Sequence, residues 1–338
     1  MNHIVIRKEI KLNEYRTPLT PKDCLKLIRK NNMTIYIESS KNRCYKDEEY
    51  TNCGCILIDN LLQLDKNVLV VGLKEIDFEK DELFAYKHLY FSHTFKNQSN
   101  SHLILQKFKQ HGGTILDYEY IVDSNNKRLI AFGFWAGFIG MSLGLLQYLQ
   151  RIKNLPDIEN LQPIDTFQKI INLLQLFNSP LPKIALIGVN GRCGTGANFL
   201  LQKLNIPCRA YTKNTPTTDL YKYDIIVNCI FLSPTSNVTF ISKENLAYFN
   251  DLKIIVDVSC DINSPNNPIK LEYTTTTFEK PIYKINDQID IIAIDNLPSF
   301  LPKDSSNEFS NKLTELLLDE KNIIWENLHK LFLQKIKK

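Results

Sequence analysis

Lys183-Ile-Ala-Leu-Ile-Gly-Val-Asn-Gly-Arg-Cys-Gly-Thr-Gly-Ala197 is the stretch that decides the fold. A short apolar run ends in Gly188, and Gly191, Gly194 and Gly196 follow within nine residues. Ala197, Leu200, Leu201 and Leu204 then fall at helical spacing, so the stretch reads as strand, glycine turn, helix. Each glycine gives up about 0.5–1 kcal/mol of backbone entropy, so four together call for a reason beyond an ordinary turn. A dinucleotide pyrophosphate supplies one: glycines let the backbone approach the phosphates, and the helix N-terminus offers unpaired N–H groups. The spacing is G-x-x-G-R-C-G-x-G rather than G-x-G-x-x-G, so the loop alone leaves a tight turn without a ligand as the alternative.

Around this loop the composition is that of a folded protein. The 338 residues are 43% hydrophobic and 23% charged, enough for two domains with sizeable cores. A net charge of +4 is too small to point to nucleic acid or a membrane surface. The most apolar segment, Leu129 to Leu149, carries four glycines and reads as a buried helix with its approach rather than a membrane span. The chain enters a strand at once at His3, so no signal peptide is expected, and a cytoplasmic location is. Its eight cysteines lack metal-binding spacing and are expected to be reduced; no metal site is expected.

Outward from the loop, strands alternate with helices on both sides. Before it lie strands at His3–Arg7, Met33–Glu38, Asn67–Leu73, His88–His93 and Thr114–Asp123. Helices lie between them: one starts at the Thr20-Pro21 cap, a short one spans Asp47–Tyr50, and one covers Leu103–Lys109. Arg128 to Asn154 leads into a long helix, apolar on all sides, that suits burial between two domains, with Phe132–Gly140 as the crossing. Leu155 to Asn178 reads as a further helix. After the loop come strands at Cys208–Thr212, Asp224–Leu232, Lys253–Ser259 and Ile289–Ile294, then two amphipathic helices, Glu308–Leu318 and Asn322–Lys335. The pattern is that of parallel α/β units.

In open parallel sheets, ligands sit beyond the carboxyl ends of strands. That rule selects Lys74, His93, Asp257, Ser259 and Asp295. A partly buried lysine can act as a base, and a histidine can shuttle protons near neutral pH. Arg16 and Arg128 suit planar, bidentate carboxylate binding. Taken singly, each could equally be a solvated or core residue; it is the convergence of several on one edge that points to a site.

Seven motifs in order carry a resemblance over nearly the whole chain. They are Tyr15-Arg-Thr-Pro-Leu-Thr-Pro21, Val71-Gly-Leu-Lys-Glu75, His88-Leu-Tyr-Phe-Ser-His-Thr-Phe-Lys-Asn-Gln98, Arg128-Leu-Ile-Ala-Phe-Gly-Phe-Trp-Ala-Gly-Phe138, Gly188–Ala197, Val256-Asp-Val-Ser259 and Asp295-Asn-Leu-Pro-Ser299. The chain resembles the lysine-forming saccharopine dehydrogenases of the alanine dehydrogenase and transhydrogenase-like superfamily. The resemblance implies an α/β fold of two Rossmann-like domains with parallel sheets and an interdomain cleft, the dinucleotide domain being inserted in the first. On that view residues 1–134 and 299–338 form the substrate domain and 135–298 the dinucleotide domain. It implies reversible NAD-dependent oxidation of saccharopine to L-lysine and 2-oxoglutarate by a monomer in lysine biosynthesis. It also implies roles: Lys74 as base, His93 as acid-base group, Arg16, Lys96 and Arg128 as substrate-carboxylate ligands, and Glu119 near the substrate amine. Gly188, Gly191, Arg192, Cys193 and Gly194 would hold the pyrophosphate, Thr212 would face the ribose, and Asp295 with Leu297 would lie near the nicotinamide.

Two departures bear on the cofactor. Thr212 stands where the family carries an aspartate that reads the adenosine ribose, and Lys213 follows it, so NADP is expected to be tolerated beside NAD. Asn296 replaces a family histidine. Cys193 and Cys229 are expected near the nucleotide, as two reduced thiols or as an oxidisable pair. Two other readings remain open at this stage: an opine-type or other amino-acid dehydrogenase with a different oxo acid or amine, and a nucleotide-binding regulator without catalysis. The joint presence of Lys74 and His93 argues against the second.

Overall fold

The computed structural model describes residues 2–96, 100–175, 180–212, 214–230, 232, 238–262, 264, 266–319 and 322–337. The chain divides into two compact units: Met1–Ala131 with Pro302–Lys338, and Phe132–Leu301.

Unit 1 is a six-stranded, all-parallel sheet of β1 (His3–Ile6), β2 (Thr34–Glu38), β3 (Ile56–Ile58), β4 (Leu69–Val71), β5 (Lys87–Tyr90) and β6 (Thr114–Asp117), in the order β3-β2-β1-β4-β5-β6. Parallel strands covered on both faces read as unbroken apolar runs, and Ile4-Val-Ile6 and Leu69-Val-Val71 are buried throughout. Helices α1 (Pro21–Asn31), α2 (Asp47–Thr51) and α3 (Ser101–His111) connect the strands. The Thr20 hydroxyl accepts from the Asp23 N–H and Pro21 occupies the first turn, so α1 starts where the sequence places it. After unit 2 the chain returns with α7 (Pro302–Leu318) and α8 (Ile323–Ile336). Buried serines tie α7 to the first segment. Ser306 Oγ accepts from the Thr17 N–H at 2.9 Å, and Ser310 Oγ accepts from the Thr20 N–H at 2.9 Å and donates to Asp23.

Unit 2 contains α4 (Gly133–Ile152), α5 (Phe167–Gln175) and α6 (Arg192–Leu204). Its strands are β7 (Ile184–Ile187), β8 (Cys208–Tyr211), β9 (Ile225–Asn228), β10 (Ile241–Ser242), β11 (Ile254–Asp257), β12 (Ile269–Lys270), β13 (Tyr283–Lys284) and β14 (Asp290–Ile292). The main sheet runs β13-β14-β11-β9-β7-β8, parallel except for β13, and β10 pairs with β12 apart from it. Helices α4 and α6 pack backbone to backbone. A Cβ on Gly137 would overlap the Cys193 carbonyl, and one on Gly196 would overlap that of Phe134.

The chain passes from unit 1 to unit 2 at Ala131–Phe132, where the apolar segment Phe132–Gly140 starts; the segment begins α4, and Trp135, Phe138 and Ile139 lie in unit 2's own core with residues of α6 and the sheet. Two expectations need correction. Leu155 to Asn178 is helical only over Phe167–Gln175, because Pro156 and Pro163 bar a helix through the preceding residues; positions 176–179 lie outside the described residues. The strand expected to reach Asp123 stops at Asp117, whose carboxylate accepts from the Glu119 N–H at 2.9 Å and turns the chain into a 3₁₀ turn over Tyr118–Tyr120.

Candidate active site

In unit 1 the strand order reverses between β1 and β4, which makes the carboxyl ends of these strands the natural ligand crevice. Lys74 lies three residues past the end of β4, and His93 three past the end of β5. His93 has φ +54, a left-handed conformation uncommon for a non-glycine residue, and its ring stacks on Phe91. Its Nδ1 lies 3.8 Å from Glu119 Oε1. Arg128 Nη2 lies 3.4 Å from the same oxygen. Two residues singled out in the sequence therefore meet on the carboxylate of a third. Behind them, Asp117 is fully buried, accepts from Ser92 Oγ at 2.7 Å and from the Glu119 N–H, and burial raises its pKa.

Arg16 is also buried, and Glu14 receives it as a fork: Nε to Oε1 at 2.7 Å and Nη2 to Oε2 at 2.5 Å. Burial pushes the Glu14 pKa up, but the charge and hydrogen bonds of Arg16, helped by the charge of Lys74, bring it net below the usual value. A substrate carboxylate at Arg16 would thus meet a guanidinium already oriented by Glu14. Lys96 ends a 3₁₀ turn over Thr94–Lys96; its side chain lies outside the described residues.

The residues the sequence did not single out are Arg7, Glu9, Glu14, Ser92 and Asp117. Arg7 Nη1 donates to Glu9 Oε2 at 3.2 Å, and Glu9 in turn accepts from the N–H groups of Leu73 and Lys74. No periodic signal marks them: Arg7, Glu9, Ser92 and Asp117 act on partners distant in sequence, and Glu14 grips Arg16 two residues on in an irregular loop. Gly72, at the seat of the Arg7 guanidinium, is the one local clue.

In unit 2 the order reverses between β7 and β9, and the glycine loop leaves β7 at that point. Gly188 has φ +84, which glycine alone adopts without strain, and its N–H donates to the Tyr211 carbonyl at 2.8 Å. Gly191 caps α6 without a side-chain hydrogen bond, and Arg192, Cys193 and Gly194 form the first turn. This loop and helix end fit a pyrophosphate. At the end of β8, the Thr212 N–H donates to Thr215 Oγ1 at 3.1 Å and the two hydroxyls are 3.0 Å apart. Lys213 lies outside the described residues. Asp295 is exposed just beyond β14, whereas the Leu297 side chain is buried in the unit's core, so only its backbone could face a ligand. Asp257 and Ser259 form a buried network with Asn228 and Tyr273 that joins the ends of β9 and β11. Burial first, and the charge of Cys193 next, push the Cys229 thiol well up. Among the described residues no cluster of His, Cys, Asp or Glu could hold a metal. No helix of the described residues is long and apolar enough to cross a membrane.

Residues 5–139 match the family description "Alanine dehydrogenase/PNT, N-terminal domain", and residues 163–332 match "Alanine dehydrogenase/PNT, C-terminal domain". A saccharopine dehydrogenase [NAD(+), L-lysine-forming] of Schizosaccharomyces pombe is 32% identical over 98% of this chain and 97% of its own. The Neurospora crassa enzyme of the same name is 33% identical over 98% of this chain and 95% of its own. The chain belongs to the L-lysine-forming saccharopine dehydrogenase family. Members of this family are oxidoreductases. The fold is that of a solved L-alanine dehydrogenase, which superposes with a TM-score of 0.73 at 15% identity over 98% of this chain and 93% of that one.

Proposed function

We propose that the chain catalyses the reversible NAD-dependent oxidation of saccharopine to L-lysine and 2-oxoglutarate. The observation that carries this reading is the meeting of His93, Glu119 and Arg128 in unit 1, whose neighbouring strands β4 and β5 lead to Lys74 and His93, in a family member. Unit 1 binds the substrate and unit 2 the dinucleotide, whose nicotinamide supplies the hydride acceptor. Lys74 takes the proton from the secondary amine, so that the nitrogen lone pair can form C=N as hydride leaves the adjacent carbon. Water adds to that carbon, and His93 moves the protons that accompany addition and C–N cleavage. Glu119 orients His93 through Nδ1 and anchors Arg128, while Arg128, Arg16 and Lys96 bind the substrate carboxylates. The Gly188–Gly194 turn, with Arg192 and Cys193 at the start of α6, would hold the pyrophosphate. Thr212 would face the ribose, and Asp295 and the Leu297 backbone would lie near the nicotinamide.

The test is direct. The protein is mixed with L-lysine, 2-oxoglutarate and NADH or NADPH, and the loss of reduced-nucleotide absorbance is followed. Turnover with lysine is the expected result. No turnover with either nucleotide rejects the reading, and turnover with ornithine or pyruvate but not with lysine and 2-oxoglutarate moves the substrate to another amine or oxo acid.

A further inference from the structure

We propose that Arg7 and Glu9 form a clamp that positions Lys74; the proposal rests on the reading of Lys74 as the base. Glu9 follows β1 and reaches across the switch point to the end of β4. Its two oxygens accept adjacent backbone N–H groups, from Leu73 at 2.7 Å and from Lys74 at 3.0 Å. Arg7 completes the grip: Nη1 donates to Glu9 Oε2, and Nη2 donates to the Lys74 carbonyl. One ion pair from the neighbouring strand thus holds both the N–H and the C=O of Lys74.

The cost of the arrangement argues that it has a purpose. Both side chains are only 5% exposed, and burying such ions carries a desolvation penalty that only good geometry offsets. Burial keeps the Glu9 carboxyl above its usual pKa despite the pull of Arg7. Arg7 Nε has no hydrogen-bond partner among the described residues, and it lies against the Cα of Gly72, where any Cβ would overlap the guanidinium. A strand end could be satisfied without such a penalty. What the clamp adds is a fixed backbone at the point where the chain leaves the ladder, and there a small rotation would swing the lysine Nζ out of reach of a substrate proton. A general base works only within hydrogen-bond distance, and a misplacement of about 1 Å costs on the order of 10²-fold.

Glu9→Gln, Arg7→Lys and Gly72→Ala, each in the full chain, break the clamp in different ways without touching Lys74. The readouts are kcat and its pH profile, the NADH dissociation constant, the melting temperature, and amide exchange at Leu73 and Lys74. The expected result is a kcat lowered about 10- to 100-fold, an NADH dissociation constant within twofold of the parent, faster exchange at both amides and a displaced pH limb for the base. A purely structural role would lower the melting temperature but leave kcat per folded molecule within twofold and the pH limb unmoved, and that overturns the proposal. If Glu9→Gln fails to fold, Arg7→Lys and Gly72→Ala decide on the same criteria. If the parent does not turn over these substrates, the reading of Lys74 as base falls; unchanged protection of the two amides in the variants would then reject the clamp as well.

Discussion

Glu119 Oε1 faces His93 at 3.8 Å and Arg128 at 3.4 Å, so one carboxylate lies beside both of the groups that the proposed reaction would use. Lys74 is the group whose removal should separate chemistry from binding. Lys74→Met is expected to lower kcat by about 10²-fold or more, the scale of a lost general base, with the NADH dissociation constant nearly intact. Equal turnover in variant and parent would remove Lys74 from the mechanism. Arg16→Ala would be a poor test of carboxylate binding, because it also removes the fork that Arg16 makes on buried Glu14 and so lowers stability as well. At the end of β8 the ribose would meet a hydroxyl pair, Thr212 and Thr215, rather than a carboxylate. Thr212→Asp is expected to raise the NADH-over-NADPH ratio of kcat/KM about tenfold, through repulsion of the 2′-phosphate. An unchanged ratio would show that the ribose is read elsewhere.

The α4–α6 contact shows how an element is held by what it lacks. Alanine is a better helix former than glycine by about 1 kcal/mol, so Gly196→Ala should stabilise an isolated α6. In the fold, the added methyl meets the Phe134 carbonyl, a backbone atom that cannot swing away, and overpacking of this kind costs about 1–3 kcal/mol or more. The net expectation is a lower urea midpoint; an unchanged or higher midpoint would mean that the helices part without cost. Strand β5 carries His88 into unit 1's interior, among Tyr86, Tyr90 and Phe108, with Nε2 on the Leu83 carbonyl at 2.8 Å. Burial lowers its pKa from 6.5 to about 3. The ring is therefore neutral when folded but takes up a proton when unfolded at acid pH. Its contribution is fully present above pH 6.5 and is lost as pH falls below that value towards 3, at up to about 1.4 kcal/mol per pH unit. His88→Phe should flatten the loss of urea stability between pH 6.5 and 5. A slope equal to that of the parent would mean that other groups carry it.

At the scale of the whole molecule, the two units differ in how the chain builds them. Unit 2 is continuous and encloses its own cores, one around α4 and α6 and one on the other face of its sheet. A fragment of residues 132–301 is expected to unfold cooperatively and to bind NADH. Unit 1 needs both ends of the chain. Without α7 the N–H groups of Thr17 and Thr20 lose Ser306 and Ser310, and without α8 the Phe108 cluster loses Phe332. A fragment of residues 1–131 should show no cooperative thermal transition by circular dichroism; a cooperative one would mean that the returning helices are dispensable.

The sequence by itself determined the alternation of strands and helices, the Thr20-Pro21 start of α1 and the glycine turn at Gly188. These are read over a few residues, because periodicity, capping and turn chemistry are local. Only the tertiary structure decided that Glu9 binds the Lys74 backbone 65 positions away and that Ser306 meets Thr17 across 289 positions. Those partners are chosen by strand order, which brings β1 beside β4 and returns the last helices to the first sheet, and strand order belongs to the whole chain rather than to any window of it.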